Sequence, residues 1–175
     1  MSLKTIVTAK ISGDYQSAKD LTTVKDTLDL NNAIELLTGT GANQSDLMFH
    51  DTRTIAAAGN DDLDLAGSLS DGFGATLTFA RVKLLYISSA SGNSDNLRVG
   101  AAASNPFWAF VGATAHYVKV RKGGMFLTVA PDATAFQVTG GSVDVLRITN
   151  EASSATATYD IVIIGSSAVS YTHLR

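Results

Sequence analysis

Apolar and polar residues alternate in short runs along this chain, each run closed by Gly, Asn, Asp or Ser, and that pattern leaves little room for anything but β-structure. Ala75-Thr-Leu-Thr-Phe-Ala-Arg-Val-Lys-Leu-Leu-Tyr-Ile-Ser88 is one such run, and Tyr117-Val-Lys-Val-Arg121 and Thr158-Tyr-Asp-Ile-Val-Ile-Ile164 are others. Side chains along a strand alternate between two faces, so a period of two between turn residues describes strands with one face buried. The acidic residues point the same way. Glu occurs only at Glu35 and Glu151, the rest being Asp, and Asp favours turns whereas Glu favours helix. An all-β chain folding as a β-sandwich, of jelly-roll-like type, is expected.

Size and composition narrow the function classes. A chain of 175 residues is long enough to bury a core without staples. It contains no Cys, which excludes disulfides, thiolate metal sites and a cysteine nucleophile. No window approaches an apolar membrane span of ~20 residues, and the alternating Met1-Ser-Leu-Lys-Thr-Ile-Val-Thr8 reads as a first strand, not a signal peptide. Charged residues are 17% of the chain and the formal net charge is −3. A mildly acidic surface with no basic run speaks against nucleic acid as a partner.

Along the chain, residues 1–44 read as an N-terminal arm or edge strands, and residues 45–168 as the sandwich domain. Leu3–Ile11 alternates, and Leu21–Leu30 is a second strand or an arm with a bend near Lys25-Asp26. Asn31–Leu37 is the one segment where a helical turn fits, and Thr38–Ser45 is a loop by composition. The loss of parity between Phe79 and Val82 predicts a bulge near Ala80-Arg81. Lys122-Gly-Gly124 between two alternating runs predicts a hairpin, and Gly140-Gly141 between Phe136–Val138 and Val143–Thr149 repeats the pattern. Thr158–Ile164 reads as a central strand. Val169–Arg175 matches one reading frame of a sequencing-library adapter and is read as adapter read-through, which leaves His173 without a role.

Few residues suggest chemistry. His50 and Asp51 are adjacent on a predicted strand and point to opposite faces, so they form no simple pair. His116 stands alone before a strand, and no Gly-x-Ser-x-Gly elbow is present. A small β-sandwich enzyme would need one of these histidines in a cleft beside Asp or Ser. Asp61-Asp-Leu-Asp64 is the best candidate for Ca²⁺, which takes six to eight oxygens, but the plainer reading, a solvated turn entering a strand, is preferred. No catalytic residue, metal ligand or cofactor is assigned. Phe107-Trp-Ala-Phe110 is the candidate interface: Phe107 and Phe110 cannot both share Trp108's face if the segment is extended, and a lone Trp most often caps one end of a sandwich core, ahead of a subunit interface or a sugar platform.

Taken together, Phe49-His-Asp-Thr-Arg-Thr54, Leu63-Asp-Leu-Ala-Gly-Ser-Leu69, Phe73-Gly-Ala-Thr-Leu-Thr-Phe79, Val82-Lys-Leu-Leu-Tyr86, Arg121-Lys-Gly-Gly124 and Tyr159-Asp-Ile-Val-Ile-Ile-Gly165 resemble small structural proteins of tailed-phage virion modules. The resemblance covers residues 47–166 and contains no catalytic motif. It implies a capsid decoration or stabilisation protein, or a head or tail fibre module, located in the virion. The implied partners are further copies of the chain, usually as a trimer, and the phage major capsid protein or another virion component. No nucleic acid or membrane is implied. A receptor- or carbohydrate-binding module is the alternative, and it predicts a solvent-exposed Trp108 with polar neighbours, where the decoration reading predicts apolar burial or a threefold contact.

Overall fold

The computed structural model describes residues 2–168; the adapter reading of Val169–Arg175, with His173, lies outside the described residues. Fourteen strands follow in order: β1 (Thr5–Ala18), β2 (Thr23–Thr38), β3 (Gln44–Ser45), β4 (Leu47–Ile55), β5 (Asn60–Asp64), β6 (Leu69–Ser70), β7 (Thr76–Leu77), β8 (Arg81–Ser89), β9 (Leu97–Gly100), β10 (Tyr117–Val120), β11 (Met125–Val129), β12 (Phe136–Gln137), β13 (Val145–Asn150) and β14 (Ala157–Ser166). The all-β expectation therefore holds, and no helix interrupts the strands among the described residues.

Two sheets make the body. One runs β11-β8-β14-β4, with β12 also pairing β8, and the other runs β10-β9-β13-β5. Alternation decides what lies between them. Phe49 and Ile55 of β4, Leu85 and Ile87 of β8, and Tyr159, Ile161 and Ile163 of β14 face Leu63, Leu97, Val99, Val120, Leu146 and Ile148 of the second sheet in one buried cluster. β14 is the central strand expected from its apolar run, paired with β4 on one side and β8 on the other.

Several local expectations give way to the tertiary structure. Asn31–Leu37 is not a helical turn but the second half of β2, whose register with β1 runs unbroken from Thr5↔Leu36 to Ala18↔Thr23. So short a helix would leave most of its backbone groups without partners, whereas pairing with β1 satisfies them along the segment. The bend near Lys25-Asp26 is likewise absent. The Ala75–Ser88 run is not one strand, because Leu77 pairs with Leu69 in a separate small sheet and β8 starts at Arg81. The bulge lies on β8 two residues beyond Arg81: Ile164 pairs with Leu84 and Gly165 with Val82, which leaves Lys83 as the extra residue.

The two predicted hairpins are turns that change sheets. Gly123 does take the positive φ of a tight reversal, at 71°, and Gly124 N–H donates to the Arg121 carbonyl at 2.8 Å. Yet β10 pairs with β9 and β11 with β8, on opposite layers. Phe136–Gln137 and Val145–Asn150 are divided between the layers in the same way. A glycine turn specifies a reversal, while burial of both flanking apolar faces decides where each arm of it pairs.

Candidate functional site: a projecting hairpin and a tryptophan shelf

Residues directly opposite one another in an antiparallel pair share a face. On one face of the β1–β2 hairpin lie the pairs Val7↔Ile34, Ala9↔Asn32, Ile11↔Leu30, Gly13↔Leu28, Tyr15↔Asp26 and Ser17↔Val24. On the other lie Thr8↔Ala33, Lys10↔Asn31, Ser12↔Asp29, Asp14↔Thr27 and Gln16↔Lys25. The hairpin is thus amphipathic across its width, with one apolar stripe and one polar face. Ion pairs Lys4–Glu35, Lys10–Asp29 and Lys25–Asp14 stay within the hairpin.

The stripe is buried only at its root. Leu36, Leu84 and Ile164 form a second core cluster, joined by Val7, Ile34, Tyr86, Val129 and Val162, so the hairpin stands on the outer face of the β11-β8-β14-β4 sheet. From Thr8 to Ala33 every residue is exposed. At ~3.4 Å per residue, Ala9–Ala18 extends about 30 Å beyond the body. Tyr15 is 80% exposed and Leu21, in the tip loop, 99%. A two-stranded hairpin alone in water is marginal, and a buried Leu or Ile yields about 1.5–3 kcal/mol over an exposed one. A partner that covered the stripe would stabilise it substantially. The residues 1–44 expected as an arm or edge strands form an arm of two self-paired strands. Its signals, period-two alternation on both sides of Lys19-Asp-Leu-Thr22, were present in the sequence but interrupted by Gly13, Asn31 and Asn32.

A buried lysine fixes the root. Lys83 has no exposed surface, and its Nζ donates to the Gly41 carbonyl at 3.1 Å and to the Asp132 carbonyl. It joins the loop leaving the hairpin to the loop after β11. Desolvation lowers its pKa below the usual lysine range, assisted by Arg81, against the opposing pull of Asp132. Asn43 N–H donates to the Pro131 carbonyl at 2.7 Å, and the Leu3 backbone and Thr38 hydroxyl exchange hydrogen bonds at 2.8 Å.

Phe107-Trp-Ala-Phe110 is a turn and not an extended segment, with Val111 N–H donating to the Trp108 carbonyl at 2.9 Å. The turn resolves the crowding expected of three aromatics. Phe107 is buried and packs at 5.6 Å from Phe110, which packs at 6.0 Å from Phe126. Trp108 points outward, 37% exposed, into a cavity of about 310 Å³ lined by Thr134, Gln137, Thr139 and Val143. The rim is rigid. Asp132 accepts from the Thr134 hydroxyl and from the Thr134 and Ala135 N–H groups, which holds its pKa at about 2.

The candidate chemical groups are occupied elsewhere. Asp61 accepts from Arg53 Nε at 2.5 Å and from the Tyr159 hydroxyl at 2.7 Å. Burial works against the Asp61 carboxylate, but these donors outweigh it and keep its pKa below the usual range. Burial, then Asp61 itself, pushes the Tyr159 phenol up. Asp62 is paired with Arg147 at 2.6 Å, and Asp64 accepts the Ala66 N–H. Asp61–Asp64 is not a turn but part of β5, paired with β13, and it spends its carboxylates on arginines, a tyrosine and its own backbone. No cluster of three or more potential ligands occurs among the described residues.

His50 lines a cavity of about 390 Å³ with Met48, Phe73, Leu77, Asp46 and Asp71. Asp46 accepts from Ser167 and Asp71 from the Phe73 and Ala75 N–H groups. His116 Nδ1 lies 3.2 Å from the Val111 carbonyl. Neither histidine is hydrogen-bonded to a carboxylate or a hydroxyl among the described residues.

The geometry defines a class: an all-β sandwich from which an amphipathic hairpin projects, with an aromatic shelf on the body. Comparisons with protein-family models, with curated proteins and with solved structures returned no match.

Proposed function

We propose that this chain is a non-enzymatic structural protein of a tailed-phage virion, a capsid decoration or stabilisation protein that assembles as a trimer and contacts the major capsid protein or another virion component, its sandwich wound in jelly-roll fashion. The observation that carries the reading is the β1–β2 hairpin. It carries an apolar stripe through water out to about 30 Å beyond the body, an arrangement that a free monomer gains nothing from and an assembly can use. Light scattering behind size exclusion on the chain truncated after Ala168 tests it. A particle of three chain masses supports the reading; a monomer at high concentration counts against it.

A second reading rests on a separate observation. Trp108 is exposed beside Thr134, Gln137 and Thr139, and an aromatic face ringed by hydroxyl and amide groups suits a sugar ring. In this reading the chain is a receptor- or carbohydrate-binding module of a head or tail fibre. Binding to immobilised glycans that is lost in Trp108→Ala would favour it.

A further inference from the structure

We infer that the cavity beside Trp108 takes a terminal N-acetylhexosamine, with the indole lying under the sugar ring and Gln137 reading the acetamido group. The inference rests on the second reading above and names the sugar that the shelf selects.

Strand alternation puts the recognition groups on one side. Val138 is buried in the core, so Gln137 before it and Thr139 after it face outward together, about 6.5 Å apart along the chain. Both line the cavity with Trp108, and among the described residues neither side chain is hydrogen-bonded within the protein. A side-chain amide offers a carbonyl acceptor and an N–H donor. An acetamido group carries the complementary N–H and carbonyl, so the two amides can exchange a pair of hydrogen bonds. A ring hydroxyl, with its single oxygen, does not meet both ends of the Gln137 amide at once. Ala109, Ala135 and Val143 supply the apolar remainder of the lining, which suits the acetamido methyl and leaves no polar group stranded against it.

Size and charge narrow the class further. At about 310 Å³ the cavity lies at the small end of ligand sites, with room for one ring and not for an extended chain. No ionisable side chain lines it. Arg81 lies opposite Gln137 in the sheet but outside the lining, and Asp132 spends its carboxylate on Thr134 and Ala135 of the rim. A neutral sugar enters such a site without desolvating an unpaired charge, whereas an acidic sugar would find no cation against its carboxylate. Ala135 holds a positive φ of 45°, a conformation uncommon for any residue but Gly, and its N–H is fixed by Asp132 at 2.9 Å. The rim is thus ordered before a ligand arrives, which lowers the cost of binding.

Trp108 is the only tryptophan of the chain, so tryptophan emission of the full chain reports on this site alone. The probes are the methyl glycosides of N-acetylglucosamine and N-acetylgalactosamine, methyl glucoside, and N-acetylneuraminic acid. An acetamido glycoside is expected to shift the emission saturably and to bind about tenfold tighter than the glucoside, the worth of one or two hydrogen bonds. Gln137→Ala is expected to abolish that preference with urea stability unchanged, since Gln137 is exposed. Trp108→Ala is expected to remove binding as read by saturation-transfer NMR on the ligand. Equal binding of glucoside and acetamido glycosides, or a preference that survives Gln137→Ala, overturns the selection and leaves the carbohydrate reading standing. Tightest binding of N-acetylneuraminic acid overturns the neutral class. Sugar binding retained in Trp108→Ala overturns the location. No saturable emission change and no saturation transfer with any of the four sugars overturns both the selection and the carbohydrate reading.

Discussion

Asp61 and Asp62 are neighbours in sequence, each with a bidentate arginine, yet they should differ sharply in what they contribute. β5 turns Asp61 to the inner face, on the side of buried Leu63, and Asp62 to solvent. Asp61 takes Arg53 and the hydroxyl of Tyr159, a residue only 1% exposed. Removing the carboxylate in Asp61→Ala leaves a buried phenol without a partner, at a cost of about 1–3 kcal/mol, and forfeits a charge-assisted bond worth about 1.5–3 kcal/mol where desolvated. Arg53 is half-buried, so solvent reclaims part of the second amount. A net loss of about 3 kcal/mol is expected. Asp62→Ala breaks an ion pair of similar length, but an exposed one, and should cost ~1 kcal/mol or less. Urea unfolding followed by Trp108 fluorescence measures both, and a cycle of Asp61→Ala with Tyr159→Phe isolates their coupling, expected at about 1–2 kcal/mol. The pH dependence has a defined sign. Because the folded pKa of Asp61 lies below its unfolded value of 3.8, its contribution is present above pH ~4 and lost as pH falls through the folded value. Equal costs for the two alanine variants, or a coupling near zero, would refute the reasoning.

Other outcomes follow from the same packing. Gly165→Ala places a methyl group against the Arg81 carbonyl and the Phe79 ring, at the register shift of β14, and should lower stability by about 1–3 kcal/mol in thermal or urea melts. Phe107→Ala empties the centre of the Phe107–Phe110–Phe126 group and should cost about 3–5 kcal/mol, whereas Trp108→Ala at its exposed position should cost well under half as much. Lys83 has a folded pKa below its unfolded 10.5, so wild-type stability gains a contribution as pH rises from the folded value towards 10.5. Lys83→Met should lack that gain in pH-dependent unfolding. It should also raise hydrogen exchange at Asn43, because the Gly41 and Asp132 carbonyls lose their shared donor.

That this chain is built of strands is written in its local pattern. Period-two alternation is set by which side of a pleated backbone each side chain occupies, and β4, β8, β11, β13 and β14 all lie on runs where it is readable. The turns were legible for the same reason: Gly123 and Gly141 supply positive φ where the chain reverses. Partner choice was not local. The turn at Lys122–Gly124 reverses the chain whether its flanks pair with each other or with β9 and β8, and only burial of Val120 and Phe126 in one shared core selects the second arrangement. Asn31–Leu37 shows the same dependence, because its residues accept a helical turn in isolation and become strand only when β1 supplies hydrogen-bond partners along their length. The apolar stripe of the arm could be read as alternation, but its exposure could not. That depends on where the body ends: at Leu36, Leu84 and Ile164 the stripe meets a sheet, and beyond Ala9 it meets water.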